Sequence, residues 1–269
     1  MGLAVILIAA VAFLALVFVF LTAPAPRKHA DRKILRGLFI AHRGLHDILP
    51  ETPENSIAAF RAAVEKGIAI ENDIHLTRDG EVVVFHDDDL YRMCGVHGRP
   101  EDMTLAELKE LRLENTDQQI PTLRECLDVV DGRVPLLIEF KCKSGSGAPL
   151  CRAADRILSV YKGKYFIQSF YPMVLLWYRK HRGDICRGQL STRFKGDTLI
   201  MQMLGCLLFN FLSRPDFVSY EFTYAKSFGR KFCKLIGAFP VGWTFRNQDD
   251  VDNSRREFDT YIFEGFLPK

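Results

Sequence analysis

The chain has 269 residues, with 36 lysines and arginines against 33 aspartates and glutamates, and 48% of it is hydrophobic. Five basic residues against one acidic residue give positions 27–36 a net charge of +4; the remaining 31 basic and 32 acidic residues sum to −1. A near-neutral body argues against a nucleic-acid-binding protein, and the hydrophobic content excludes a long disordered chain. The seven cysteines form no CxxC pair, which argues against zinc-ribbon and thioredoxin-type sites.

The first element is an unbroken apolar run over residues 3–21, long enough as a helix to cross about 30 Å of hydrocarbon. A cleaved signal peptide is the alternative, but no basic residue precedes the run, and Pro26 would follow the cleavage site at Ala23-Pro24-Ala25. We therefore predict a single transmembrane anchor over residues 1–26. Residues 27–36 are predicted as a basic juxtamembrane linker beside anionic lipid, which places the body in the cytoplasm.

Residues 37–269 alternate between β-rich apolar runs and helical patterns, which predicts one α/β domain, a TIM (β/α)8 barrel. Helices are predicted over residues 57–66, 104–112, 123–130, 148–161 and 172–180. The eight predicted strands cover residues 38–41, 68–74, 136–140, 165–168, 186–190, 217–220, 239–243 and 261–263.

Two segments do not fit the simple alternation. Residues 82–85 form a further strand, but the turn at residues 77–80 is too short to join parallel strands, so we expect an excursion from the loop after the second strand. Residues 199–212 are strongly apolar but too short to span a membrane. They are predicted either as a buried barrel helix or as a helix at the barrel mouth that dips into the bilayer.

Charged residues extend several of the apolar strands. Glu71 and Asp73 share one face of the second strand, and Glu139 and Lys141 repeat this spacing on the next barrel strand. Carboxylates are hard ligands that suit Ca²⁺ or Mg²⁺, and three together would repel one another without a cation. His42 and Arg43 follow the first strand, and His86 follows the accessory strand. Imidazole side chains suit acid–base catalysis, and the positive side chains of Arg43 and Lys141 suit a phosphate. The set therefore indicates metal-assisted phosphoryl chemistry.

The sequence resembles the glycerophosphodiester phosphodiesterase family over residues 39–268. The resemblance rests on matched motifs in one order: HRG at 42–44, PENS at 53–56, ExD at 71–73, TRDG at 77–80, VVFHD at 83–87, IPTL at 120–123, IEFK at 138–141, QSF at 168–170 and WT at 243–244.

The resemblance implies a role for each matched residue. His42 and His86 are expected as the acid/base pair, and Arg43 and Lys141 as phosphate contacts. Gln168 and Trp243 are expected along the substrate pocket. The expected ligands of a divalent cation, Ca²⁺ or Mg²⁺, are Glu71, Asp73 and Glu139.

The family's small insertion corresponds to about residues 88–119. In the family's mechanism a glycerol hydroxyl attacks phosphorus and expels an alcohol, and water then opens the cyclic phosphate to glycerol 3-phosphate. The sequence departs from the family at Asn72, followed by His75, and at Glu264, where the last strand often ends in Thr-Asp.

The leading hypothesis is therefore a membrane-anchored hydrolase of glycerophosphodiesters or lysophospholipids. Two alternatives stay open: a related barrel phospholipase acting on phosphoinositides or sphingolipids, and an inactive barrel that binds lipid head groups. The complete set of acids and both histidines argue against the inactive barrel, because a binding module does not need an acid/base pair. No nucleic-acid partner is expected, and no protein partner can be inferred.

Overall fold

The structure is a computed structural model that describes residues 2–26, 28–48, 50–142 and 147–269. Its strands are β1 (Phe39–Ala41), β2 (Ala69–Leu76), β3 (Val82–Val84), β4 (Leu136–Phe140), β5 (Tyr165–Ser169), β6 (Arg187–Ser191), β7 (Phe217–Glu221), β8 (Phe239–Phe245) and β9 (Thr260–Phe263). Its helices are α1 (Gly2–Thr22), α2 (Arg32–Leu35), α3 (Ile57–Glu65), α4 (Tyr91–Cys94), α5 (Leu105–Lys109), α6 (Leu123–Val130), α7 (Ala148–Leu158), α8 (Pro172–His181), α9 (Leu199–Gly205), α10 (Asn210–Ser213), α11 (Phe228–Leu235) and α12 (Gln248–Ser254).

The eight strands other than β3 form a closed ring of parallel strands. They pair in the order β1-β9-β8-β7-β6-β5-β4-β2, and the pairing of β1 with β2 closes the ring. The predicted TIM barrel is confirmed. We call the end where the strands finish the mouth, and the opposite end the closed end.

Strand β3, which lies outside the ring, pairs antiparallel with the last residues of β2, so that Ile74 pairs with Val84 and Leu76 with Val82. The predicted excursion is therefore present. The residues after it form a satellite layer containing α4 and α5, whose small core includes Phe85, Leu90 and Leu108. This layer covers the mouth beside β2.

An apolar plug fills the closed end. It includes Leu35, Ile40, Phe217 and Phe239, all buried. Apolar side chains at the starts of the strands can meet here because the barrel interior is a packed core and not a channel.

The segment before β1 packs across this closed end. The His29 ring lies 2.9 Å from the carbonyl oxygen of Asp184, and Arg32 donates to the carbonyl oxygen of Gly237 at 2.9 Å. Asp31 lies 3.4 Å from Lys164. All three partners precede barrel strands, so residues 28–36 cover the barrel instead of forming a free linker. Arg27 lies outside the described residues.

The last turns of α1 pack against the outside of the barrel. The Phe18 ring lies 5.0 Å from that of Phe232, and Asn210 donates to the carbonyl oxygen of Thr22 at 3.1 Å. Arg214 donates to the carbonyl oxygens of Phe20 and Ala23, each at 3.0 Å. Residues 2–16 are exposed, and α1 is long and apolar enough to cross a membrane.

The apolar segment 199–212 is not one helix, because it divides into α9 and the short α10. Leu207 and Asn210 are buried, but Leu199 and Ile200 are exposed at the start of α9. The expectation of a single buried barrel helix is therefore wrong at this end, where solvent contacts two large apolar side chains.

Candidate active site

Three carboxylates converge at the mouth because two neighbouring strands carry them at matching heights. The register of β2 and β4 places Asp73 beside Glu139, and Glu71 lies two residues earlier on the same strand face. All three are buried, and one oxygen from each lies within 4.8 Å of those of the other two. The structure thus brings together the three predicted metal ligands.

Two cations hold this acidic cluster in place. Lys141 Nζ lies 3.0 Å from Asp73 Oδ1 and 2.7 Å from Glu139 Oε1. The Arg43 guanidinium lies 3.7 Å from Asp73 Oδ2, while its backbone N–H donates to Glu71 Oε2 at 3.1 Å. Burial alone would lower the pKa of Lys141, but Asp73 and Glu139 raise it, so the ammonium group stays charged.

The backbone after β1 has a special conformation that aims Arg43 at the cluster. Arg43 and Gly44 both have positive φ angles, 56° and 83°. A side chain at Gly44 would lie 2.9 Å from the Cβ of Ala59 on α3. Glycine is therefore required where this turn approaches the helix, which explains the HRG motif physically.

The acidic cluster carries more negative charge than its surroundings neutralise. Burial, followed by the repulsion of Asp73 and Glu139, holds the pKa of Glu71 well above its usual range. Burial also raises the pKa of Glu139, although Lys141 opposes it. Burial acts in the same direction on Asp73, but Lys141, His86 and Arg43 outweigh it and lower that pKa. A buried set of hard oxygen donors with unbalanced charge fits a divalent cation.

The first predicted histidine is held by a glutamate. His42 Nδ1 lies 2.5 Å from Glu264 Oε2, and Arg246 Nε donates to Glu264 Oε1 at 2.7 Å. Burial lowers the pKa of His42 to about 4, partly opposed by Glu264. The imidazole is therefore neutral at pH 7. Because the carboxylate accepts the proton on Nδ1, the other nitrogen, Nε2, is left to accept one.

The second predicted histidine is held in the same way. His86 Nδ1 lies 2.6 Å from Asp87 Oδ1, and Arg92 Nε donates to Asp87 Oδ2 at 2.6 Å. Burial alone would raise the pKa of Asp87, but the hydrogen bonds from His86 and Arg92 outweigh burial and lower it, so Asp87 stays ionised. Both imidazoles thus have one nitrogen held by a carboxylate that is itself bonded to an arginine.

Two adjoining cavities open beside these groups. The smaller, of about 430 Å³, is lined by eight of the nine predicted site residues, while Asp73 lies behind Arg43 and Lys141. These eight are His42, Arg43, Glu71, His86, Glu139, Lys141, Gln168 and Trp243. The larger, of about 820 Å³, shares His86, Glu139 and Lys141 and continues along Phe194, Met201 and Leu204. A polar chamber therefore adjoins a mainly apolar one.

The structure adds supporting residues that sequence reasoning did not select. Glu54 of the PENS motif accepts two hydrogen bonds from Arg43 at 2.9 Å and also bonds Arg92. Asn55 donates to Asp73 at 2.9 Å. For Glu264 a signal existed, since a charge follows the apolar strand β9 just as Lys141 follows β4.

Of the two departures on β2, Asn72 contacts α6 outside the barrel, whereas His75 contacts the backbone of a site residue. Asn72 donates to the sulfur of Cys126 on α6, outside the barrel. His75 is buried, with its Nδ1 2.8 Å from Glu101 of the satellite layer and its Nε2 3.4 Å from the carbonyl oxygen of His86. Glu264 and His75 thus contact residues of the site, whereas the side-chain hydrogen bond of Asn72 goes to α6.

The family is established by comparison with known proteins. The profile of the glycerophosphoryl diester phosphodiesterase family matches residues 42–198. Glycerophosphodiester phosphodiesterase 1 of Mus musculus is 35% identical over 275 aligned positions, which cover 85% of this chain and 78% of the relative. The chain therefore belongs to the glycerophosphodiester phosphodiesterase family, and the resemblance noted from the motifs is confirmed.

Other relatives match over shorter lengths. A glycerophosphodiester phosphodiesterase from Caldanaerobacter subterraneus is 38% identical over 118 residues, 41% of this chain and 47% of the relative. Rat lysophospholipase D GDPD1 is 29% identical over 161 residues, 55% of this chain and 49% of the relative. The chain thus spans about half the length of these two curated relatives.

Solved structures share the fold. A phosphodiesterase from Oleispira antarctica, determined with its product sn-glycerol-3-phosphate, matches with a TM-score of 0.72 at 23% identity, covering 87% of this chain and 95% of that one. A glycerophosphodiester phosphodiesterase from Thermotoga maritima matches with a TM-score of 0.63 at 26% identity, covering 84% and 94%.

Proposed function

We propose that the protein is a metal-dependent phosphodiesterase that hydrolyses glycerophosphodiesters to an alcohol and glycerol 3-phosphate. One observation carries the proposal: a buried carboxylate cluster and two carboxylate-held imidazoles face the same 430 Å³ chamber. Family membership and the named activities of the relatives support the substrate class.

Glu71, Asp73 and Glu139 would hold a divalent cation, Ca²⁺ or Mg²⁺. When bound, such a cation polarises a phosphoryl oxygen and offsets charge that develops in the transition state. Arg43 and Lys141, which line the chamber, would bind the phosphate. Their contacts to the acidic cluster fix where the positive charges lie.

The two histidines would move the protons. Neutral His42 accepts the proton of the substrate's 2-hydroxyl at Nε2, so that this oxygen can bond to phosphorus. His86 donates a proton to the departing alcohol oxygen as the phosphorus–oxygen bond breaks. Water then opens the cyclic phosphate with the two roles reversed, which regenerates both imidazoles and releases glycerol 3-phosphate.

The larger cavity supports lysophospholipids as a second substrate class. Phe170, Phe194, Met201 and Leu204 give it an apolar wall directly beside the phosphate chamber. Such a wall suits an acyl chain better than a small alcohol. Lysophospholipase D GDPD1 is among the relatives.

We further propose that α1 is retained as a membrane anchor with the barrel in the cytoplasm, since the positive charges follow α1.

Turnover of a substrate panel tests the proposal. We expect hydrolysis of glycerophosphocholine and lysophosphatidylcholine, loss of both activities in EDTA, and recovery with Ca²⁺ or Mg²⁺. Hydrolysis that persists in EDTA would reject the metal role. Preference for phosphoinositides or sphingolipids would favour the related phospholipase, and no turnover of any substrate would favour a binding module.

A further inference from the structure

The course of α1 along the barrel shows on which side a membrane would lie. The Phe18 ring lies 5.5 Å from that of Phe228, the first residue of α11. Five residues later, Ala23 shares a cleft with Ile236 and Gly237, which follow the end of α11. Because α11 starts after β7 at the mouth and ends before β8 at the closed end, the end of α1 runs from the mouth towards the closed end.

The rest of α1 therefore extends beyond the mouth. Residues 2–17 belong to the same unbroken helix and rise about 24 Å at 1.5 Å per residue. That length accounts for most of the thickness of a hydrocarbon core. A bilayer around this part of α1 lies on the mouth side of the barrel, while residues 28–36 lie on the far side.

Exposed apolar side chains occur at the same end. Leu199 and Ile200 begin α9 after β6, and 73% and 63% of their surfaces are exposed; Phe228 is 72% exposed at the start of α11. We call these three residues the apolar rim, and one of them, Phe228, contacts Phe18 of the anchor. The backbone of Cys206 at the end of α9 would contact any side chain at Gly229, and Phe18 lines the same cleft.

The charges around the apolar rim also suit a lipid surface. Arg193, Lys195 and Lys226 are exposed in the loops of the rim, with Asp197 as an acidic residue among them. Basic side chains around an apolar insertion attract anionic head groups. This surface is therefore better suited to bind an anionic bilayer than to bind a soluble protein.

We propose that the mouth of the barrel rests on the bilayer, with Leu199, Ile200 and Phe228 inserted at the head-group boundary. The proposal rests on the proposed retention of α1 as an anchor. Met201 and Leu204, which follow on α9, line the larger cavity. A single-chain lipid can therefore pass from the membrane into the cavity without crossing water, and the basic residues 28–36 face away from the membrane.

Tryptophan reporters in brominated lipid test this orientation. The full chain is reconstituted into phosphatidylcholine–phosphatidylglycerol vesicles, with and without bromine on the acyl chains, and the native Trp177 and Trp243 supply the baseline. The reporters are Leu199→Trp and Phe228→Trp. The matched control is Leu235→Trp, because Leu235 is 82% exposed at the opposite end of α11. Leu14→Trp, within α1, reports whether the anchor is inserted.

We expect bromine to reduce the added fluorescence of Leu14→Trp, Leu199→Trp and Phe228→Trp and to leave that of Leu235→Trp unchanged. Quenching at position 14 without quenching at 199 and 228 would overturn the orientation, as would quenching at 235. No quenching at position 14 would remove the anchor and the proposal with it. Hydrolysis of soluble glycerophosphocholine by the same samples tests the proposed function separately.

Discussion

The two ends of the barrel are built from the same strands but from opposite kinds of residue. Strand β2 shows this along its own length, since Ala69 packs into the apolar plug while Glu71 and Asp73 lie at the mouth. Burying apolar surface stabilises the fold, whereas burying charge costs free energy unless partners compensate. The closed end thus stabilises the fold, whereas the buried charges at the mouth lower the net free energy of unfolding.

The largest expected effect concerns the histidines at the mouth. His42→Ala and His86→Ala should each lower kcat/KM for glycerophosphocholine by about 10²–10⁴-fold, because each removes one proton-transfer group. Thermal unfolding should change little. The control is His181→Gln, since His181 is exposed on α8 and outside both cavities. Full activity in both alanine variants would contradict the assignment.

The second prediction concerns the closed end. Leu35→Ala should lower the free energy of unfolding by about 2–5 kcal/mol, because Leu35 is fully buried in the plug. Turnover per folded molecule should stay unchanged below the unfolding transition. Leu235→Ala, at an exposed leucine, should alter stability by less than about 0.5 kcal/mol. A loss of turnover without a loss of stability would break the proposed division between the two ends.

The third prediction tests whether a cation compensates the charge at the mouth. Ca²⁺ or Mg²⁺ at about 100 times its dissociation constant should stabilise the folded protein by about 2.7 kcal/mol, measured as a rise in Tm. Asp73→Asn should respond much less, because the substitution removes one of the three clustered carboxylates. An equal rise in Tm for the variant would place the cation elsewhere.

The smallest expected effect concerns Glu264. Glu264→Gln should lower kcat/KM by about 10- to 100-fold, because the histidine loses the partner that orients it. In the proposed mechanism His42 is the base and must be neutral, so we expect activity to fall as pH drops through its pKa, which is about 4. The glutamate raises that pKa, so its removal should move the acid limb of the pH profile to lower pH.

Glu264→Asp, which keeps the charge, should restore part of the rate and return the limb towards its original position. A limb that moves to higher pH in the glutamine variant would show that Glu264 does not act on His42 in this way.

Most of the fold could be predicted from local pattern. All eight barrel strands fall within two residues of the predicted bounds at each end, and the antiparallel excursion follows from the length of one turn. Helix α5 is shorter than predicted, and residues 199–212 divide in two. Apolar periodicity does not reveal where neighbouring elements force a helix to end.

The positions of the predicted site residues were accessible for a related reason. Parallel strands end together, so charges that extend apolar strands must meet at one end of the barrel. The pairing of His42 with Glu264 was not accessible, because it joins residues 222 positions apart through the β1–β9 contact. Arg92 carried no signal at all, since its role depends on how the satellite layer folds over Glu54.

The sequence by itself determined the barrel, the charged strand ends and an apolar helix, because each is written in the spacing of neighbouring residues. Only the tertiary structure decided that residues 28–36 cover the closed end and that α1 leaves from the mouth. The positive charge of residues 28–36 is the same whether the segment lies beside the membrane or across the closed end, so charge alone could not decide its position. Its position depends on burying Leu35 and on hydrogen bonds to Asp184 and Gly237, which are distant in the chain and meet only when the ring of strands closes.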